Sequence, residues 1–568
     1  MLIFYWLTLS KLILVVLSVQ ILVRCIRSML RERYEPEIWG FLRVGGENLP
    51  ICHWENLIGR SRSADLPLRL EKISSVHAVL TRSDRGSWAV YDIFSKGGVW
   101  VNGRKVPPGG AAVQDGDVLN FAGHTARFCD IPQEKRVQLE EKRRAAGSVS
   151  PARTLLALTA FQVFLLLEHC ITADRGDLGM IALAFAALLV LEWSIFNAMR
   201  VMGRRGFEVE TLAFYLTTLG TSVAASSTPG EMDKQIYLIL AAVLPFVLGG
   251  WWLRSLRRTL ALRIPVAMWA IALILVNILA SKVILGARNW LEIGGISFQP
   301  SEFVKAAYVY VGASTLDLLY RRRNLYSFIL FSGFCVVALA LIGDFGTALV
   351  FFVTFLVISF LRSGSIATVL LAVSAAGLAG FLAVNIRPYI AQRFSTWGHA
   401  WENMYDGGYQ QTRAMSAAAA GGLFGKGAGA GWLKQIFAAN TDMVFAMVCE
   451  ELGLLIALCM VAALLLLAFF AIRSARNCRS AYYAISACAA MSMMLTQVAL
   501  NVFGSLDLLP FTGVTFPFVS RGGSSLISCW MLLTFLKGAD NRREASFAVK
   551  PGVRVSRSGN ESETEAAP

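Results

Sequence analysis

The chain has 568 residues, with 53 Lys plus Arg against 38 Asp plus Glu, and a formal charge of +15. Only 16% of residues are charged while 55% are hydrophobic, which excludes a wholly soluble enzyme and a disordered scaffold. The ten cysteines form no CxxC pair and keep no regular spacing, so they read as reduced thiols and not as a disulfide framework.

A bilayer crossing needs roughly 20 apolar residues. Apolar runs near 2–23, 154–172, 177–199, 211–228, 235–253, 265–285, 302–320, 326–343, 345–361, 366–386, 443–472, 482–505 and 519–537 therefore predict a multi-pass α-helical membrane protein of about 13 spans. The first run has no basic segment ahead of it and no small-residue cleavage site, so residues 1–25 read as an uncleaved anchor helix. Arginines follow alternate spans: Arg24, Arg27, Arg31 and Arg33, then Arg204 and Arg205, then Arg254, Arg257, Arg258 and Arg263. Arg321 to Arg323, then Arg473, Arg476 and Arg479, then Arg542 and Arg543 continue the pattern. All fall on one side if the N-terminus is outside and the C-terminus is cytosolic. The basic excess is thereby explained by topology, and nucleic acid is set aside as a partner.

Between the first and second spans the pattern changes. Short alternating runs such as Trp88–Ile93 and Val99–Val101, separated by Gly, Asp and Pro, predict a small cytosolic all-β sandwich over 36–133. Gly59-Arg60 precedes Ile73-Ser74-Ser75-Val76-His77, followed by Asp92, Ser95-Lys96-Gly97-Gly98, Val101-Asn102-Gly103 and Asp115-Gly116-Asp117. This order resembles a forkhead-associated (FHA) domain over nearly its whole length. The resemblance implies that Arg60 and Ser74 hold a phosphothreonine, with His77 bracing the loop and Asn102 a further contact. It also implies a phosphothreonine protein or a Ser/Thr kinase pathway as partner. An Arg fork and a Ser hydroxyl are apt donors for phosphate oxygens. Gly97-Gly98 stands where such domains usually carry Asn-Gly, and Ser75 where an Arg is usual. Residues 134–153 follow as a basic linker suited to anionic headgroups. Two additional transmembrane helices occupy 154–200, and 541–568 reads as a cytosolic tail.

Polar residues then gather at the outer ends of a few spans, where ionisable groups point to function. The first cluster holds Arg288, Asn289 and Trp290, then Gln299, Pro300, Ser301, Glu302 and Lys305. Pro300 suits a helix start, and Glu302 and Lys305 share a helical face. The second is Gly343-Asp344-Phe345-Gly346-Thr347, where Asp344 fits either a helix cap or a functional role. The third lies in the outer loop 387–442, with Tyr409, Gln410 and the run Gly421-Gly422-Leu423-Phe424-Gly425-Lys426-Gly427. Its glycines fit either a close approach to a diphosphate or a mobile loop. Asp442 ends this loop, in a position to cap the next helix. The fourth runs from Leu509 through Thr512-Gly513 to Ser520-Arg521-Gly522-Gly523-Ser524-Ser525.

In this order and span context the four clusters resemble the SEDS family, the FtsW/RodA-like peptidoglycan glycosyltransferases, over a ten-helix core at 206–540. The resemblance implies polymerisation of lipid II into glycan strands, in the bacterial cytoplasmic membrane and beside a class B penicillin-binding protein. It makes Asp442 the catalytic base. Arg288, Trp290, Gln299, Ser301, Glu302, Lys305, Asp344, Tyr409, Gln410, Lys426, Arg521 and Ser524 become substrate-binding residues. This chain departs from the family pattern at Arg288, which is two residues before Trp290, at Met443 after Asp442, and at Arg521 in place of Tyr. A divalent cation, Mg or Mn, is compatible with the diphosphate chemistry, although no metal-ligand spacing marks it. Two other functions compete: a lipid II transporter, expected to carry midplane polar residues and an inverted repeat, and a catalytically silent division or elongation scaffold.

Overall fold

The computed structural model describes residues 2–31, 37–61, 64–83, 86–131, 150–204, 206–284, 287–293, 296–316, 322–363, 366–386 and 394–540. Most of the linker expected at 134–153, residues 387–393 of the outer loop and the tail from 541 lie outside them.

The sandwich is built from β1 (Gly40–Val44), β2 (Glu47–Ile51), β3 (Glu55–Gly59), β4 (Leu66–Pro67), β5 (Ala78–Arg82) and β6 (Trp88–Asp92). It continues with β7 (Val99–Val101), β8 (Arg104–Lys105), β9 (Ala111–Val113), β10 (Val118–Phe121) and β11 (His124–Asp130). One sheet has the order β2-β1-β11-β10-β7-β8 and the other β4-β3-β5-β6-β9. Strand alternation sends one face of each sheet inward. Leu42, Ile58, Leu80, Val90, Val99, Leu119, Phe121 and Phe128 form the buried layer between them.

The helices are α1 (Leu2–Arg31), α2 (Pro151–Thr172), α3 (Leu178–Val201), α4 (Glu208–Ser227), α5 (Met232–Trp252), α6 (Leu256–Ala261) and α7 (Arg263–Ala280). Then come α8 (Pro300–Leu316), α9 (Arg322–Leu341), α10 (Phe345–Ser363), α11 (Ile366–Ile386) and α12 (Tyr409–Gly421). The chain closes with α13 (Ala439–Asp442), α14 (Val444–Leu452), α15 (Leu454–Ala475), α16 (Ala481–Ser505) and α17 (Gly523–Ala539). Among the described residues, 8 helices are long and apolar enough to cross a membrane.

The bundle has two faces. The sandwich meets one, and the opposite, distal face carries Asp442. In a membrane the hydrophobic effect does not draw helices together, so polar contacts and close packing do. α4 shows this. Residues 208–226 are buried throughout although they include Glu208, Glu210 and several Thr and Ser. Ser28 of α1 donates to Glu208 (2.5 Å), and Lys537 of α17 pairs with Glu210 (2.9 Å). Gln162 of α2 donates to Thr218 (3.0 Å) and to Glu192 of α3 (2.9 Å). Nearer the distal face His169 meets Ser222 (2.8 Å) and Ser226 donates to Glu451 (2.6 Å). This seam ties the three N-terminal helices to the rest of the bundle.

Four expectations change. The run 265–285 is helical only to Ala280, and a small sheet of β12 (Lys282–Ile284), β13 (Ala287–Ile293) and β14 (Ile296–Phe298) follows it. The run 443–472 is not one helix but α14 and α15, broken at Gly453. Gly453 has φ +91°, and a Cβ there would stand 2.4 Å from the Leu423 carbonyl oxygen, so close packing of the outer loop breaks the helix. The outer loop, described from 394, is not a plain connection but contains α12 and α13. Asp442 does not cap α14: it is the last residue of α13, and Met443 holds the cap position without a side-chain bond.

Candidate functional site

α13 begins after Ala438, which is held at φ +58°, a left-handed conformation unusual for a residue with a Cβ. Such strain persists only where the surroundings fix it, and here they do. Asn501 of α16 donates from Nδ2 to the Asp442 carbonyl (3.0 Å) and to that of Val514 (2.9 Å). The Ser520 hydroxyl donates to the Thr441 carbonyl (2.6 Å), and the Arg521 N–H to that of Asn440 (2.8 Å). Gly513, at φ +68°, lets the 510–516 segment pass beside the acid, since a Cβ there would lie 3.0 Å from Asp442 Oδ2. Asp442 is half-buried and faces a cavity of about 460 Å³.

That cavity gathers residues more than 200 positions apart. Trp290, Gln299, Glu302, Asp344, Asp442, Arg521 and Ser524, all expected from the sequence, line it. On the wall formed by α8 and α10, the Gln299 amide donates to Asp344 Oδ2 (3.1 Å), and the Thr347 N–H to Asp344 Oδ1 (3.0 Å). Asp344 therefore caps α10 with one oxygen and holds Gln299 on the cavity wall with the other. Burial pushes the Asp344 carboxyl above the usual carboxylate range, while the bonds from Thr347 and the charge of Lys305 pull the other way. Lys305 stands behind Glu302 and donates to its Oε1 (2.8 Å), with both side chains almost wholly buried. Glu302 Oε2 is buried and has no hydrogen-bond partner among the described residues. It is an acceptor available on the cavity wall.

Other expected residues lie elsewhere. Ser301 and Lys305 are buried beside the cavity without lining it. Gln410 donates to the Phe437 carbonyl (3.0 Å), just ahead of the strained Ala438, and the Arg413 guanidinium stacks over the Tyr409 ring at 4.8 Å. Lys426 pairs with buried Glu450 (2.7 Å), and Glu450 also accepts the N–H groups of Trp432 and Leu433. The glycines around it serve packing: a Cβ on Gly421 would lie 1.9 Å from the Cys449 carbonyl oxygen. Arg521 lines the cavity while forming an ion pair with Glu231. Arg288 falls on β13, and its side chain lies outside the described residues. The sequence reading missed Asn501, whose signal was an amide, like Gln497 one turn earlier, inside a membrane helix. Thr512 and Ser525, which stood in the fourth cluster without an assigned role, also line the cavity.

At the far end of the sandwich, Arg60 is exposed and its N–H donates to the Ser74 carbonyl (3.0 Å). The Ser74 hydroxyl accepts from the Lys96 N–H (3.1 Å), so three loops meet there. His77 is fully buried behind them. Its Nδ1 accepts from the Ser74 N–H (3.1 Å), and Nε2 faces the Gly98 carbonyl (3.0 Å), which fixes the tautomer with the proton on Nε2. Asn102 stands at the other end of β7, where it donates to Asp117 (2.8 Å) and accepts from the Val118 N–H (2.9 Å).

Fold and site together define an integral membrane protein with a buried acidic cavity at one face and a phosphate-suited β-sandwich at the other. The family model described as "Cell cycle protein", that of FtsW, RodA and SpoVE, matches residues 213–545, and the chain belongs to that family. An FHA domain model matches residues 56–122. The chain is 31% identical over 347 residues to the probable peptidoglycan glycosyltransferase FtsW of Coxiella burnetii, covering 55% of this chain and 90% of that one. It is 32% identical over 253 residues to the stage V sporulation protein E of Bacillus subtilis, covering 42% and 68% respectively. Among solved structures, the rod shape determining protein RodA of Thermus thermophilus is similar at 24% identity and a TM-score of 0.45, covering 59% of this chain and 96% of that one.

Proposed function

We propose that the chain is a peptidoglycan glycosyltransferase that polymerises lipid II at the outer face of the bacterial cytoplasmic membrane, with its sandwich and C-terminus in the cytosol. The observation that carries this reading is Asp442, fixed by its backbone on the wall of the 460 Å³ cavity. Glycan polymerisation needs a base for the acceptor hydroxyl, in-line inverting attack at the donor's anomeric carbon, and stabilisation of the departing diphosphate. Asp442 takes the acceptor proton. Glu302 Oε2, with its open acceptor capacity, and the Gln299–Asp344 pair orient sugar hydroxyl and amide groups. Among the described residues, Arg521 is the cation that lines the cavity. Approach of a diphosphate would draw its guanidinium from Glu231, because an Arg fork fits phosphate closely. A divalent ion belongs to this reading as a companion of the diphosphate: among the described residues no three His, Cys, Asp or Glu side chains group to hold one. The partner is a class B penicillin-binding protein that crosslinks the strands. Arg60 and Ser74 receive a phosphothreonine from a kinase-controlled partner.

The test is purified chain, with its penicillin-binding partner, given lipid II and compared with Asp442→Asn. Glycan strands from the wild type and none from the variant are expected. Equal product from both would remove the mechanism.

A further inference from the structure

The sandwich is bolted to the bundle by one end. Its contact is the turn between α15 and α16. Arg479 in that turn forks onto Glu37, with Nε 2.7 Å from Oε2 and Nη2 2.9 Å from Oε1. The guanidinium lies 5.7 Å from the Trp39 ring centroid and 6.0 Å from that of Trp54. The Trp54 N–H donates to the Arg479 carbonyl, and His53 Nδ1 lies 2.8 Å from the Cys478 carbonyl oxygen. Glu55 Oε2 accepts the N–H of Ala481 (3.0 Å), one of the donors that the first turn of α16 leaves open. The sandwich thus supplies a cap for a membrane helix, and the acid suits the positive end of that helix.

Two geometric facts extend the contact. First, β3 runs from Glu55 at the bolt to Gly59 beside Arg60, so the phosphate-suited loops point away from the bundle. Second, α16 is unbroken from Ala481 to Ser505. Asn501, about 30 Å further along it at 1.5 Å per residue, holds the Asp442 carbonyl. A second tie runs beside it. α1 leads from the sandwich to the distal face, where Lys11 donates to the Gly425 carbonyl (2.8 Å) in the loop that precedes α13.

We infer that the FHA domain is a brace on the polymerase site, coupled through α16 to the backbone of Asp442. Glu37, Arg479 and Glu55 are positioning residues that set the start of α16, and Asn501 passes its position to the acid. A phosphothreonine protein bound at the Arg60 end then acts on the distal site by changing how firmly the other end grips α16. The inference rests on the reading of Asp442 as the base and adds the regulation of that site.

The experiment uses the full chain with its partner in liposomes and lipid II as substrate. It compares Arg479→Glu, Glu37→Arg and the two together. Each single variant is expected to lower kcat at least about fivefold, the lower end of ordinary coupling between sites. KM for lipid II should stay unchanged, and the double swap should restore kcat. Simple misfolding of one partner would not be repaired by swapping the other. Wild-type kcat in both single variants, with labels on sandwich and bundle reporting that they have separated, would overturn the coupling. So would a loss that the swap does not repair. Should Arg479→Glu fail to insert, Glu37→Gln keeps the shape of the contact, and wild-type kcat in it with the labels separated overturns the coupling equally. Asp442→Asn is measured alongside. Full activity there sinks the catalytic reading itself, whereas activity lost there but kept in every bolt variant sinks only the coupling.

Discussion

The two ends of this molecule solve the problem of presenting polar groups in opposite ways. At the distal cavity the chemistry is brought together from α8, α10, α13 and the segment before α17, with several polar groups paired within the protein and Glu302 Oε2 left as an open acceptor among the described residues. At the sandwich end, Arg60, Ser74 and Lys96 sit on neighbouring loops, and the guanidinium is exposed. The cavity buys its geometry with buried charge, which a membrane makes costly to leave unpaired. The sandwich places a solvated cation on a braced loop at little cost. Substitutions that break the buried pairs of the first region should therefore cost fold and function together, whereas at half-buried Asp442 and in the second region the two should separate.

The largest effect expected is at Asp442. Its neutral isostere keeps the backbone bond from Asn501 and removes the base, so Asp442→Asn should slow polymerisation by about 10²–10⁴-fold. The thermal midpoint should be nearly unmoved, read by a denaturation scan in detergent beside the lipid II assay. A large fall in stability would mean that the carboxylate is structural and would erase the contrast with Glu302. Next is the buried pair behind the cavity. Lys305→Met strands the Glu302 carboxylate at a site where both side chains are almost unexposed. The expected cost is about 3–5 kcal/mol of stability, seen as poor insertion or a lowered midpoint. Glu302→Gln with Lys305→Met should recover much of it, because two neutral groups replace one orphaned charge.

The sequence made these regions legible to different degrees. A multi-helical membrane core was readable from the long apolar runs, and the sandwich was readable from strand alternation between turns. The break at Gly453 was not, since α14 and α15 are both apolar and only the tertiary approach of Leu423 separates them. Asp442, Glu302 and Asp344 were legible as acids at span ends. Their partners were not: that Lys426 belongs to Glu450 and Arg521 to Glu231 depends on folding across gaps of 24 and 290 residues, which no local spacing encodes. The bolt at Arg479 was hidden for the same reason. In sequence it is one more arginine after a span, and only the fold sets Glu37 against it.

A smaller effect sharpens the sandwich half of the comparison. His77 is fully buried and joins two loops through its ring nitrogens. His77→Ala removes both bonds and leaves a small cavity beside Phe121, whose ring centroid is 5.9 Å away. A loss of about 1–3 kcal/mol is expected, and phosphopeptide binding should fall with it because the Ser74 loop loses its brace.

The least disruptive change is also the most discriminating. Arg60 is exposed, and its side chain is not needed to join the loop after β3 to the Ser74 loop, a contact the backbone makes through the Arg60 N–H and the Ser74 carbonyl. Arg60→Ala should therefore shift stability by no more than about 0.5 kcal/mol, as for surface positions free of special roles. Against phosphothreonine peptides it removes the forked donor that fits phosphate. Hydrogen bonds to charged groups contribute about 1.5–3 kcal/mol each, so affinity should drop at least about tenfold with the fold intact. Calorimetric titration of the full chain in detergent, with a phosphothreonine peptide pool and the same pool dephosphorylated, gives the readout. Phosphate-dependent binding that survives in the variant would move the anion site away from Arg60. The sandwich would then resemble the cavity after all, with its ligand held by groups the local sequence does not reveal.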